Sequence, residues 1–376
     1  MSLPNDPPLR ILCLSHLVWE RNLFQRPQQL MTRFEALGHE VLYLTLMSSK
    51  KWLRLPASER TLAIGERGRA KNLPFVPGSK RFQPVRRLSE ALLCRAGQAF
   101  LQGADPGRRV LWVQHPCFLP HLDLLPHDLL VYDCMDPFQS FSSTASHIPG
   151  LEKELLARAD LVFTGGRSLH RQREGSNPNM HCFPSGIDYP HFARGAEPGP
   201  VEPAVAALKK PVLGYFGAVD ERIDWELLRA VCEARPQWSV ALIGPLVLMN
   251  RPPVELPNLH YLGPKPYDKL PEVLRGFDVC LIPWKVNELT RFMSPTKTPE
   301  YLASGRPVVS VPIPDVVDDY GAVVRVAGDS GAFIAACGEA LAAGIGPSLK
   351  PEAARTWEET AEAMAQRIRQ HPRESA

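Results

Sequence analysis

No apolar run in this chain of 376 residues approaches the ~20 residues that a membrane-spanning helix requires, so no spanning segment is expected. The opening MSLPNDPPLR lacks the basic, then apolar, then small-residue order of a secretory signal, and export is not expected. The eight cysteines stand singly, with no CxxC and no Cys/His cluster, which argues against a disulfide framework or a zinc site. Cys13 and Cys280 fall in apolar strand-like runs and read as reduced, buried thiols of a cytosolic protein. A charge excess is missing too: the net charge of +3 is too small to imply nucleic acid. Gly-x-Ser-x-Gly, P-loop and HExxH motifs are absent, so hydrolase, NTPase and metalloprotease readings find no support. Short-period repeats and low-complexity tracts are also lacking.

What is present is alternation. Strand-like runs at 11–15, 41–45, 110–114, 129–133, 161–165 and 180–183 are interleaved with helical spacing, as at Leu23–Leu37 with Gly38 as the stop. The Pro- and Gly-rich run 192–211 reads as a linker. A second alternation starts at VLGYFGAV (212–219) and includes strands at 239–244, 259–263, 278–283 and 307–311. Helices are expected near Trp225–Arg235, Tyr267–Gly276 and Trp357–Arg369. Length and pattern predict an α/β protein of two Rossmann-like domains with parallel sheets. The expected divisions are 1–191, 192–350 and a terminal segment, 351–376, packing back toward the first domain. Ligands of such sheets bind at the carboxyl ends of the strands, so a cleft between the halves is expected.

The segment SPTKTPEYLASGRPVVSV, Ser294 to Val311, mixes signals that a plain core segment would not need. Thr298 suits an N-cap, Pro299 the first helical position and Gly305 the end. A helix mouth of that kind is an anion site, and Lys297 adds a point charge beside it. Glu300 would repel a phosphate and reads as a partner for donors such as ribose hydroxyls, which together suggest a nucleotide diphosphate. Gly214 and Gly217 sit where a strand turns toward a helix, and Arg222 offers a planar fork for phosphate, although a tight turn with a surface arginine fits equally. Gly244 and Gly263 end later strands and read as lining of a base pocket or as turns.

In the first half, VYDCMDPFQSF puts Asp133 at a strand end and Asp136 just past it. A carboxylate there can take a proton from an attacking hydroxyl, or serve as an Asx turn or cap. Asp-x-x-Asp is not the Asp-x-Asp expected of a bound divalent metal. The stretch SHLVWERNLFQRPQQL, with Trp19, Arg21 and Arg26, suggests a loop overhanging a cleft. His16 and His115 stand at strand carboxyl ends, as packed residues or as site residues. Between Ser48 and Leu88, eleven basic residues face only Glu59 and Glu66, interleaved with Trp52, Leu53, Leu55, Phe75 and Phe82. That pattern fits either an anionic membrane surface or a solvated loop.

TKTPEYLASGRPVVS resembles the sugar-nucleotide signature of GT-B glycosyltransferases, and GYFGAVDERIDWELL followed by VALIGP resembles the opening of their donor domain. WERNLFQRPQQLMTRFEALGHEVLYL is similar to the N-terminal loop and helix of bacterial surface-polysaccharide transferases of teichuronic-acid type. The resemblance implies a GT-B architecture, two Rossmann-like domains facing across a cleft, with Lys297 on the diphosphate, Glu300 on the ribose and Arg222 on phosphate. Retaining relatives carry a Glu where Phe292 stands, and Glu288 is out of register. VYDCMD resembles the segment of inverting transferases such as the xanthan-pathway glucuronosyltransferase, which makes Asp136 the base. The implied protein moves a sugar from a nucleotide-diphosphate sugar, UDP favoured, to a glycan or polyprenyl-linked acceptor. It does so in the cytoplasm at the inner membrane face, with no metal and no cofactor beyond the donor. A nucleotide-sugar epimerase on the same fold and a non-catalytic nucleotide-binding paralogue are the alternatives.

Overall fold

A computed structural model describes residues 7–19, 24–75, 83–103, 107–348 and 354–372, without the side chains of 83–86. Arg21, Lys80, Arg81 and Phe82 lie outside the described residues. The chain divides into two units. Unit 1 holds Met1–Gly165, Leu169–Pro184 and Trp357–Ala376, and unit 2 holds Gly166–Ser168 and Ser185–Thr356.

Unit 1 is built on a sheet of eight strands among the described residues: β1 (Arg10–Leu14), β2 (Glu40–Ser48), β3 (Thr61–Ile64), β4 (Gly68–Phe75), β5 (Arg109–Val113), β6 (Leu129–Cys134), β7 (Leu161–Thr164) and β8 (Met180–Cys182). Their order is β3-β4-β2-β1-β5-β6-β7-β8, parallel throughout except for the β3–β4 hairpin. The strands β1, β5 and β6 are buried nearly throughout, as unbroken apolar runs covered on both faces must be. Successive strands leave β1 first on one side, to β2, and later on the other, to β5. The order reverses there, and this is where open sheets bind ligands.

The helix Arg26–Ala36 and the C-terminal helix Trp357–Gln370 cover one face of this sheet. Leu30, Met31 and Phe34 of the first meet Trp357, Ala361, Met364 and Ile368 of the second in one core with Trp112 and Phe163. Arg108 fastens the end of the C-terminal helix, donating to the carbonyls of Ile368 at 2.6 Å, His371 at 2.7 Å and Pro372 at 2.9 Å. A cation at a helix carboxyl end satisfies carbonyls that have no partner within the helix.

Unit 2 carries a six-stranded parallel sheet: β9 (Val212–Phe216), β10 (Ser239–Ile243), β11 (Leu259–Tyr261), β12 (Val279–Ile282), β13 (Val308–Ser310) and β14 (Arg325–Val326). The order is β11-β10-β9-β12-β13-β14, so β9 is its switch strand. Gly214 lies inside β9 for a packing reason: a Cβ there would stand 2.2 Å from the Phe277 ring. The run 192–211 is not a linker. Arg275 donates to the carbonyls of Arg194, Glu197 and Pro200 at 2.7–2.9 Å, and Val205 is buried against Gly276. Composition pointed to a free connector, but one arginine on three carbonyls folds it into unit 2. Among the described residues no helix is long and apolar enough to cross a membrane.

Two expected site residues have become scaffold. Arg26 does not reach into a cleft, and Asp133 is not a loop cap. Both are buried, with Arg26 Nη2 2.8 Å and Nε 3.1 Å from Asp133 Oδ1. Arg26 also donates to the Phe183 carbonyl at 2.8 Å, and Gln114 Nε2 to Asp133 Oδ2 at 3.3 Å. The pair ties the first turn of the Arg26–Ala36 helix to the centre of the sheet. Asp133→Ala strands a buried guanidinium and is expected to lower stability by about 3–5 kcal/mol, whereas Arg26→Met with Asp133→Leu loses much less. Urea unfolding of the single and double variants, followed by circular dichroism, checks this.

Candidate functional site

All six residues expected on the nucleotide, Gly217, Arg222, Gly244, Lys297, Thr298 and Glu300, belong to unit 2, and three of them meet at the carboxyl end of β9. Gly217 follows β9 with φ of +146° and Gly244 follows β10 with φ of +143°, conformations that a side chain rarely tolerates. They lie against each other: a Cβ on Gly244 would fall 1.8 Å from the Gly217 carbonyl oxygen. A Cβ on Gly217 would fall 2.6 Å from Lys297 Cε and 2.8 Å from the Tyr215 hydroxyl. The strand ends are thus pared to backbone where the lysine stem passes. Gly263, with φ of +71°, ends β11 and accepts the Gly244 N–H at 3.1 Å, which makes it a turn.

Lys297 opens the seven-residue helix Lys297–Ala303, and its Nζ donates to Thr296 Oγ1 at 3.3 Å. Tyr301 fixes where that helix sits. The β9–β12 ladder pairs Leu213 with Val279 and Gly214 with Cys280 and goes no further. Beyond it the Tyr301 hydroxyl accepts the Phe216 N–H at 3.0 Å and donates to the Phe216 carbonyl at 3.2 Å. Glu300, one residue earlier, is half-buried. Burial pushes its carboxyl up to about 7, with Lys297 opposing the rise and Asp188 adding to it. Asp188 caps the helix Tyr189–Ala193 through the His191 N–H at 3.4 Å.

Two residues are placed otherwise than expected. Thr298 is not the N-cap: the helix starts at Lys297, two residues earlier than expected, the Thr298 N–H bonds the Pro295 carbonyl at 3.1 Å, and its Oγ1 is buried with no partner among the described residues. The Pro295 turn pre-empts the cap, so Thr298 packs inward. Arg222 is not an open fork. Its Nε lies 2.8 Å and 3.0 Å from the Asp220 carboxylate oxygens, and its guanidinium carbon is 4.8 Å from the centre of the Trp284 ring. Asp220, two residues away, already offsets much of its charge. Tyr215 lies in the same cluster, and burial pushes its phenol up to about 12.

In unit 1 the switch point between β1 and β5 carries His16 and His115, with ring centres 4.8 Å apart. Phe138 closes the group, 5.4 Å from His16 and 4.5 Å from His115. Phe138 stands two residues past Asp136, so the loop after β6 brings the proposed base to the same strand ends. The Asp136 carbonyl accepts the Phe138 N–H at 2.9 Å, and the residue is half-buried. Burial lowers His16 to about 3, reinforced by His115, and lowers His115 to about 4, so both rings are neutral at pH 7. His115 Nδ1 accepts the Cys117 N–H at 3.1 Å, which leaves the proton of the neutral ring on Nε2. His16 Nδ1 is buried without a protein partner among the described residues.

Trp19 does not overhang anything. It is buried edge-on against Tyr43 and Phe24, and the Asn72 side chain takes both its N–H and its carbonyl, at 3.2 Å and 3.1 Å. The sequence reading missed Tyr301, Tyr215, Phe138, Asp220 and Trp284. A signal for Tyr301 was present, since a buried phenol in an otherwise apolar helix face must find a partner for its hydroxyl.

Comparisons with known proteins agree with this layout. Residues 210–343 match the family described as Glycosyl transferases group 1. Over 258 residues the chain is 25% identical to the putative teichuronic acid biosynthesis glycosyltransferase TuaH of Bacillus subtilis (strain 168), covering 63% of this chain and 65% of that relative, just under two thirds of its length. Sucrose-phosphate synthase from Thermosynechococcus elongatus superposes with a TM-score of 0.71 at 15% identity, over 96% of this chain and 98% of that one. Anabaena HepE in complex with UDP and glucose superposes with a TM-score of 0.63 at 13% identity, over 96% and 100%. The alternating strands and helices of both units therefore have the GT-B architecture, and residues 210–343 match the group 1 glycosyltransferase family.

Proposed function

We propose that this protein moves a sugar from a nucleotide-diphosphate sugar, with UDP as the favoured nucleotide, to a glycan or lipid-linked acceptor in surface-polysaccharide assembly. The observation that carries the reading is the convergence of Gly217, Gly244 and Lys297 on the carboxyl end of β9, with Glu300 three residues along the Lys297 helix, inside the matched glycosyltransferase region. Bare backbone at Gly217 and Gly244 admits a diphosphate closely, and the Lys297 ammonium offsets charge on it as it leaves. That fixed positive charge takes the part a metal ion plays elsewhere. Arg222 gives a supporting role, its fork being shared with Asp220. Glu300 accepts ribose hydroxyls. The name of the Bacillus subtilis relative and the UDP and glucose in the Anabaena complex support the choice of substrate class.

Unit 1 takes the acceptor side in this reading. Asp136 removes the proton of the attacking hydroxyl, and the product has inverted configuration. His16 and His115, held neutral, offer one acceptor and one donor to sugar hydroxyls, and the face of Phe138 offers an apolar contact to a sugar ring.

Lys297→Ala and Glu300→Ala are expected to weaken UDP binding in calorimetry while both variants stay folded; unchanged affinity in both overturns the site. The ionised Glu300 is the better hydroxyl acceptor, and its carboxyl titrates at about 7. UDP affinity of the wild type therefore rises as pH climbs through that value and levels off above it. Glu300→Gln binds weakly with this component of the pH dependence removed, which separates it from titration of the phosphate itself.

Tyr301→Phe deprives the Phe216 N–H and carbonyl of their partner. It is expected to lower stability by about 1–3 kcal/mol and to weaken UDP binding, as read by thermal unfolding with and without UDP. Asp136→Asn should slow transfer by ~10²–10⁴-fold with donor affinity nearly unchanged. Transfer at the wild-type rate, or a product of retained configuration by NMR of the anomeric centre, overturns the inverting mechanism. Turnover without any added acceptor would instead identify an epimerase.

A further inference from the structure

The basic segment 48–88 has no part in the chemistry above, and the fold divides its charges among different tasks. It is not a loop: β3, β4 and the helices Ser49–Arg54, Ala57–Arg60 and Gln83–Leu101 account for most of it. Arg67 Nη1 bonds the Gly38 carbonyl at 3.4 Å, and Arg69 Nη1 bonds the Gly68 carbonyl at 2.7 Å. The Arg60 guanidinium lies 3.8 Å above the Trp52 ring. Those arginines serve the scaffold.

The helix Ser49–Arg54 has none of its six residues buried. A helix of that length does not persist in water unaided. Here it is held firmly from one side. The Ser48 hydroxyl caps it by accepting the Lys51 N–H at 3.3 Å, Trp52 Nε1 donates to the Asn72 carbonyl at 2.8 Å, and the Ser49 hydroxyl bonds the Phe75 carbonyl. The outward side carries Leu53, 67% exposed, among the exposed cations Lys50, Lys51 and Arg54. Phe75, opposite Ser48 in the β2–β4 ladder, is exposed as well. The helix Gln83–Leu101 packs on the same two strands and shows Leu88 and Leu92, one turn apart, with Arg87. No acid occurs from Ser48 to Ser58.

We propose that the Ser49–Arg54 helix is an interfacial anchor for an anionic bilayer, with Leu53 and Phe75 entering the headgroup region and Lys50, Lys51 and Arg54 meeting lipid phosphates. A stable protein interface needs a continuous, close-packed face. This surface has separate apolar tips ringed by long cations, the combination of a weak insertion and a polybasic patch that holds a protein on a membrane. The proposal rests on unit 1 alone and does not depend on the nucleotide site.

The test is co-sedimentation of the full chain with vesicles of phosphatidylcholine alone, or of phosphatidylcholine and phosphatidylglycerol in equal parts. Binding is expected only to the second, and raised salt should weaken it. Replacing Lys50, Lys51 and Arg54 together by Ser should weaken it on the order of 100-fold, at about fivefold per cation. Leu53→Ser should weaken it roughly tenfold, including at salt concentrations where the charges are screened. These side chains are exposed, so the UDP-induced thermal shift should be unchanged, which separates failure of the anchor from failure of the nucleotide site. Equal binding to both vesicles, binding to neither, or a triple variant that binds like the wild type overturns the proposal. Retention by poly-glutamate without vesicle binding would mark the surface as a protein-docking face instead.

Discussion

Where β9 and β12 part, the backbone of Phe216 loses its partner on that side, and one phenol hydroxyl supplies both the donor and the acceptor it needs. A parallel sheet can open a crevice at its carboxyl end only if the backbone groups exposed there are satisfied by something else. Tyr301 does this from a helix, and so ties the position of that helix to the strand end. Lys297 and Glu300 lie within one turn of Tyr301, and Gly217 directly follows Phe216. The geometry of the proposed nucleotide site is therefore a consequence of the same two hydrogen bonds. The paired glycines permit the approach, and the tyrosine sets its distance.

Periodicity made the central strands legible, because β1, β5, β6, β9 and β10 are continuous apolar runs of strand length. The helices Arg26–Ala36 and Trp225–Ala234 were legible for the converse reason, having one apolar stripe each. The outer strands β3 and β4 were not: β3 is only four residues long and β4 alternates Arg69 and Lys71 with small residues, so the segment read as a basic loop or membrane-facing stretch. At the site, Lys297, Glu300 and the two glycines could be singled out by residue type and spacing. What spacing could not show was long-range pairing: Asp133 with Arg26 lies across more than a hundred residues. The Asp220–Arg222 pair was adjacent in sequence, yet a carboxylate beside an arginine looks the same whether they pair or both face solvent.

Arginine in this chain is chiefly a structural residue. Arg26 neutralises a buried aspartate, Arg108 closes a helix end and Arg275 gathers three carbonyls of the segment after residue 193. Each uses the planar fork to bind several acceptors in fixed directions, which a lysine cannot imitate. The lysines with positions of interest, Lys297 and the pair Lys50 and Lys51, instead carry compact charges on flexible stems. A mobile phosphate suits them better than a fixed carbonyl does.

The C-terminal helix completes the core of unit 1 although all of unit 2 precedes it in the chain. On a ribosome, the strands from β1 to β8 emerge first, but Trp357, Met364 and Ile368 appear only after β14 has been made. Until then the side of the Arg26–Ala36 helix that meets the C-terminal helix has no cover, and the carbonyls that Arg108 binds do not yet exist. Unit 2 needs only three residues from outside the continuous stretch Ser185–Thr356, and those precede it. The half that is synthesised first is thus the half that finishes folding last, so a nascent chain stalled in unit 2 presents exposed hydrophobic surface from its beginning rather than from its growing end.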